Sequence, residues 1–224
     1  SILAQIFSCL FLLILTEVLF RFTMIEGYDQ PFTKQHNFGS YVDMLLMNKT
    51  SRGGWLAINC IPTSVHTIAG AIIGKVLLGN DEQINKLKKI FTWAFPLLIV
   101  GYGMDLLQIT PIIKRISTSS FTIVSLGWCM IALGVCYYLV DMKGNLKKIL
   151  FFNVLGMNSI FIYLFFEIPG GRFLNEYINQ IFAGIGQITN IASFSLSIVS
   201  CFTIFLIEWY LCYFLYKKKI FFRI

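Results

Sequence analysis

Apolar residues in this chain fall into about six long blocks separated by short charged connectors. Each block is about long enough to cross a bilayer as a helix, which takes roughly 20 residues. The pattern predicts spans near 2–22, 55–78, 90–109, 119–140, 149–168 and 191–216. Pro62 and Pro96 lie in or near spans, which membrane helices tolerate when neighbours satisfy the freed carbonyls. No repeat and no low-complexity linker interrupts the pattern, so 1–224 reads as a single membrane domain.

Orientation comes from the basic residues. Lys86, Lys88 and Lys89 follow the second span, Lys143, Lys147 and Lys148 the fourth, and Lys217, Lys218, Lys219 and Arg223 the last. If six spans alternate, these segments share one side, and basic connectors stay cytoplasmic. The expected fold class is therefore all-α and polytopic, with about six transmembrane helices and cytoplasmic N- and C-termini. The longer segments 23–54 and 169–190 are expected as outward loops.

Composition agrees. The 224 residues are 57% hydrophobic and 13% charged, with a mean hydropathy of +0.73, whereas a soluble domain is about a quarter charged. The net charge of +7 sits in the connectors, so it marks insertion topology and not a nucleic-acid footprint. The partner it implies is the lipid bilayer. None of the six cysteines forms a C-x-x-C pair, and neither a metal site nor a disulfide framework is expected.

Polar residues inside the oil then become the question. The stretch LGMNSIFIYLFFE at 155–167 places Asn158, Ser159, Tyr163 and Glu167 in an otherwise apolar run. On a continuous helix the last three lie four apart and share a face, with Asn158 at its edge. Glu17, His66, Lys75, Asp105 and Glu208 also fall in or near spans, and each costs roughly 2.5–3.5 kcal/mol to insert at a helix centre. Solvation at helix ends suits Glu17, Asp105 and Glu167, and snorkelling suits Lys75. Interhelical hydrogen bonds suit His66, Asn158 and Ser159, and close packing suits Gly70-x-x-x-Gly74. The functional alternative is a polar cavity, best supported by Asn158 and His66, which cannot snorkel.

No catalytic motif is complete: there is no G-x-S-x-G, no H-E-x-x-H and no phosphate-cradling loop. From the residues alone, a polytopic membrane protein with a polar cavity is as far as the reading goes.

Three ordered stretches add a resemblance. PIIKRISTSSFTIVSLGWCMIALGVCYYLVD at 111–141, LGMNSIFIYLFFE at 155–167 and GAIIGKVLL at 70–78 resemble segments of the heparan-α-glucosaminide N-acetyltransferase-like membrane family. The resemblance runs over most of the chain and is weakest in the last span. It implies an enzyme that carries an acetyl group from cytoplasmic acetyl-CoA across a bacterial inner (cytoplasmic) membrane to the amine or hydroxyl of an amino sugar or glycan. It also implies further spans before Ser1, including the family's catalytic histidine, whose position neither His36 nor His66 matches. On this reading the chain is a C-terminal portion, inactive by itself.

The resemblance carries over Asn158, Ser159, Tyr163 and Glu167 as cavity-lining residues and Lys114 as the family's loop lysine. Gly70, Gly74 and Lys75 match the end of its second span. His66 joins the cavity set from its mid-span position. Lys75, Lys86 and Lys88 are expected to draw the phosphates of coenzyme A to the cytoplasmic mouth. The chain departs from the family at 52–59 (RGGWLAIN) and 114–117 (KRIS), which puts the acceptor in question. The competing expectation is a transporter or flippase for a sugar or glycan fragment, because intramembrane polar groups also mark substrate pathways. A homodimer is compatible with either.

Overall fold

A computed structural model describes residues 1–144, 149–189 and 193–222. Lys147, Lys148, Arg223 and the expected start of the last span at Ile191 lie outside the described residues. The chain is all-α: among the described residues there is no strand. By contacts it divides into two units, Ser1–Gly144 and Asn145–Ile224, and each is described by itself.

The first unit contains α1 (Ile2–Phe22), α2 (Phe38–Met47), α3 (Cys60–Leu78), α4 (Gln83–Leu106) and α5 (Ser119–Tyr137). A 3-10 turn, Ala57–Asn59, leads into α3, and a π-turn, Tyr138–Met142, ends α5. The second unit contains α6 (Leu150–Met157), α7 (Ser159–Phe165), a π-helical segment Phe166–Leu174, α8 (Asn175–Thr189) and α9 (Ser193–Lys217).

Among the described residues, four helices are long and apolar enough to cross a membrane: Ile2–Phe22, Ala57–Leu78, Ser119–Met142 and Phe194–Lys217. A fifth span exists if the bent pair Leu150–Met157 and Ser159–Ile168 counts as one. The remaining expected span, α4, starts with Lys86, Lys88 and Lys89 and ends with Asp105. Its apolar run, 90–104, is shorter than the roughly 20 residues a crossing needs. The result is a polytopic, membrane-embedded helical protein.

Within the first unit α4 packs along α5 and α1 along α3. The α4–α5 approach depends on Gly101, Gly127 and Gly134, whose missing side chains admit Val124, Leu98 and Phe91 respectively. Ile73, Ile90, Ala94 and Met130 form the buried centre beside that seam. By contrast, nothing in its own unit lies within 4 Å of a methyl placed on Gly70 or Gly74. The close-packing face expected from that spacing is thus unfilled by its unit. Gly74→Ala is expected to leave thermal stability unchanged or to raise it by up to ~1 kcal/mol through helix propensity, as read by a melting curve in detergent.

The segments expected as loops hold structure. α2 lies within 23–54, and 166–189 is wound throughout as π- and α-helix. This second segment runs antiparallel to α9: Gly186 meets Leu196, Asn179 meets Ser200, and Gly170 meets Glu208. Pro169-Gly170-Gly171 and several polar side chains make the stretch look like a loop, but Gly170 and Gly186 let it lie close along α9, with Phe166, Ile168, Phe173 and Tyr177 left exposed.

Candidate functional site

The Ser/Thr-rich start of α5 is a clamp. Thr118 and Ser120 both donate to the Pro111 carbonyl, at 2.7 and 2.8 Å, and the Ile113 amide donates to Thr118 Oγ1 at 3.1 Å. Ser119 donates to the Leu13 carbonyl at 3.1 Å, tying α5 to α1. The clamped loop sets Lys114 with its ammonium 5.8 Å from the Trp55 ring centre. Its neighbour Arg115 donates to the Gly53 carbonyl at 2.6 Å. Lys114 therefore sits on the aromatic residue that follows the paired glycines, so one face of Trp55 is already occupied.

Most ionisable groups in the spans of this unit have partners. Glu17 and Arg21 form an i,i+4 ion pair at 2.9 Å, and Arg21 also donates to Thr110 Oγ1 at 3.1 Å. Asp105 Oδ1 accepts the Ile112 amide at 2.9 Å, closing the turn after α4. His66 Nε2 lies 2.8 Å from Ser125 Oγ, and that hydroxyl lies within hydrogen-bond reach of the Thr122 carbonyl at 3.1 Å. Here a half-buried imidazole and a hydroxyl face each other between α3 and α5. Ser125 carried no sequence signal beyond its place in the Ser-containing α5 run.

The expected coenzyme A lysines behave differently from one another. Lys75 donates to Gln5 Oε1 at 2.9 Å, and Lys86 to the Leu77 carbonyl at the end of α3 at 2.8 Å. Lys88 instead lines a surface pocket of about 440 Å³ with Asp81, Asn85, Lys89, Thr92 and Trp93. Lys89 pairs with Asp81 at 2.6 Å and holds that carboxyl below its usual value by hydrogen bond and charge. The pair is favourable above the ordinary Asp value of about 3.9 and is lost as pH falls through the lowered one. Being fully exposed, it positions side chains more than it stabilises the fold.

In the second unit the helix breaks by 73° at Asn158, between α6 and α7. Asn158 is fully buried. Its Nδ2 donates to the Ile220 carbonyl and its Oδ1 accepts the Phe222 amide, both at 3.2 Å. Phe161 stacks on Phe222 at 5.1 Å beside this contact. The amide expected to line a cavity spends both of its ends on the C-terminal backbone.

Ser159, Tyr163 and Glu167 do not share one environment. Ser159 lines a cavity of about 390 Å³ with Gly156, Ile162, Phe205, Glu208 and Trp209. Tyr163 is 64% exposed, and Glu167 is exposed too. Winding widens to π at Phe166, so the four-residue register is not carried past Tyr163. Trp209 is stacked on Phe151 at 5.6 Å and on Tyr213 at 5.3 Å, which fixes the cavity wall.

Glu208 is the residue that spacing underrated. It lies within α9, and its Oε1 is buried without a hydrogen-bond partner. Among the described residues Glu208 makes no ion pair and no hydrogen bond. A methyl placed on Gly170 would sit 3.2 Å from that oxygen, so the π-segment backbone closes over it. Its intramembrane position was legible; the cavity beside it was not.

Lys114, His66, Lys75, Lys86 and Lys88 belong to the first unit, and Asn158, Ser159, Tyr163 and Glu167 to the second. Comparison with protein-family models finds no match, and comparison with curated proteins finds none either.

Proposed function

We propose that this chain is part of a membrane acyltransferase resembling the heparan-α-glucosaminide N-acetyltransferase-like family. It would move an acetyl group from acetyl-CoA to the amine or hydroxyl of an amino sugar or glycan across a bacterial inner membrane. The observation that carries this reading is the order and spacing of three motifs, at 70–78, 111–141 and 155–167.

The structure supports the chemistry at two places. Acyl transfer to an amine needs a base to take the ammonium proton before attack on the thioester carbon. The His66–Ser125 pair supplies a base and a hydroxyl within hydrogen-bond reach, inside the helices. His66 does not match the family's catalytic histidine, so its part is to relay or hold a proton beside the reacting groups. At one end of α4, Lys88 lines a pocket with Asp81, Lys89 and Thr92; with Lys89 held by Asp81, the Lys88 ammonium is left there to meet a phosphate-bearing donor.

His66→Ala is expected to lower acetyl transfer by at least ~100-fold, the lower bound for removing acid–base help. Ser125→Ala should have a smaller effect in the same direction. The readout is incorporation of labelled acetyl into glucosamine by the protein as its cell makes it, with thermal melting as a folding control. Unchanged turnover in folded His66→Ala would reduce the pair to a structural contact.

A transporter reading is favoured by one observation, the intramembrane carboxylate Glu208 without a partner. Sugar counterflow in the absence of coenzyme A distinguishes it.

A further inference from the structure

We propose that the cavity between α6–α7 and α9 is a binding site for a primary ammonium group carried on a ring-sized ligand, with Glu208 as its anion. The transfer reading supplies an amino sugar as the natural candidate, but the cation requirement rests on Glu208 and its surroundings.

A carboxyl within a membrane helix is costly and is normally paired or turned to a water-filled space. Glu208 has neither an ion pair nor a hydrogen bond among the described residues, and Gly170 closes over its Oε1. An oxygen so shielded loses its solvation unless a donor meets it. The donor must come from outside the unit's own side chains.

Three features select the donor's chemistry. First, the adjoining cavity of about 390 Å³ lies within the ~300–1,000 Å³ range of small-molecule sites. Second, Ser159 lines the same cavity and offers a hydroxyl in an otherwise apolar wall. A group with three N–H donors can meet the carboxylate and this hydroxyl at once, as an ammonium does.

Third, a metal ion fits poorly. Hard cations take six or more oxygen ligands, and no group of three His, Cys, Asp or Glu side chains comes together among the described residues. The cavity is open on one side, and its mostly apolar wall screens an ammonium–carboxylate contact less than water does at a fully exposed site.

The test uses the chain in lipid nanodiscs, without acetyl-CoA, in neutral buffer, where the probe amines are largely protonated and the carboxyl is not driven toward its acid form. Two matched probe pairs are titrated by calorimetry: glucosamine against N-acetylglucosamine, and cyclohexylammonium against cyclohexanol. The charged member of each pair is expected to bind at least tenfold tighter than its neutral counterpart. Glu208→Gln should erase that preference with little change in size. Gly170→Ala keeps the carboxyl but crowds it, and should weaken the charged probes less. It also covers the case in which Glu208→Gln fails to fold.

Equal binding of charged and neutral probes would overturn the proposal. So would charged-probe affinity unchanged in Glu208→Gln, or no saturable binding of either amine. Because no acyl donor is present, amine binding here together with no acetyl transfer by the protein as its cell makes it would sink the acyltransferase reading and leave this site standing.

Discussion

Asn158→Leu is expected to destabilise the second unit by about 2–4 kcal/mol and to release its C-terminal segment. The substitution removes both hydrogen bonds of the buried amide, leaving the Ile220 carbonyl and the Phe222 amide without their partner. Each stranded backbone group costs about 1–3 kcal/mol when shielded. The total falls short of the upper limit because Ile220 and Phe222 are themselves partly exposed. Leucine also fits the apolar surroundings, but its bulk does not reproduce the planar contact that fixes the 73° break. A lower melting temperature and faster proteolysis near residues 217–222 would be the readout. Asn158→Asp keeps an acceptor for Phe222 and should fall between the two. A folded, protease-resistant Asn158→Leu with lost activity would instead place Asn158 among the groups that act on substrate.

Gly101→Ala is expected to have an effect of similar size in the first unit. Its new methyl would lie 2.5 Å from Val124 Cγ2, 3.0 Å from the Val124 amide nitrogen and 3.2 Å from the Ser120 carbonyl. Two of those neighbours are backbone, and β-branched Val124 has little rotamer freedom within a helix. α4 and α5 must then move apart, at the upper end of the ~1–3 kcal/mol typical of overpacking. Gly127→Ala meets the movable end of Leu98 first, at 2.8 Å, and should cost less. Melting curves for the two variants, set against Gly74→Ala, order the three positions. Equal stability for Gly101→Ala and Gly74→Ala would contradict the α4–α5 packing.

These variants also mark where sequence reasoning stops. The expected spans at 2–22 and 119–140 coincide closely with α1 and with α5 plus its π-turn, because length and apolarity are local properties. The break at Asn158 is not local. Its partners lie 62 and 64 residues further on, so the motif reads equally as a continuous helix with one polar edge. Gly70-x-x-x-Gly74 has the spacing of a packing face, but spacing cannot say whether a neighbour occupies it, whereas Gly101 and Gly127 pack without that motif. The stretch expected as a loop was obscured by its Pro-Gly-Gly, which normally signals a turn; the wide π winding of Phe166–Leu174 takes up both glycines and carries the backbone on into α8.

Among the candidate site residues, His66 had a sequence reason, its mid-span position, and the structure adds its partner Ser125. Lys75 and Lys86 were legible as basic residues near a membrane edge. Only the packing revealed that the Leu77 carbonyl and Gln5 already engage them. Glu208 could be seen as a charge in oil. That its oxygen lies under Gly170, beside a cavity shared with Ser159, depends on how two distant helices meet.

The most direct measurement uses sealed vesicles containing the protein as its cell makes it. Labelled acetyl-CoA is supplied on the side of the basic connectors and glucosamine is enclosed on the other. The account predicts label in enclosed N-acetylglucosamine, in proportion to protein and lost with His66→Ala. Coenzyme A-independent exchange of sugar across the vesicle wall, with no acetyl incorporated, would contradict it and make the chain a transporter.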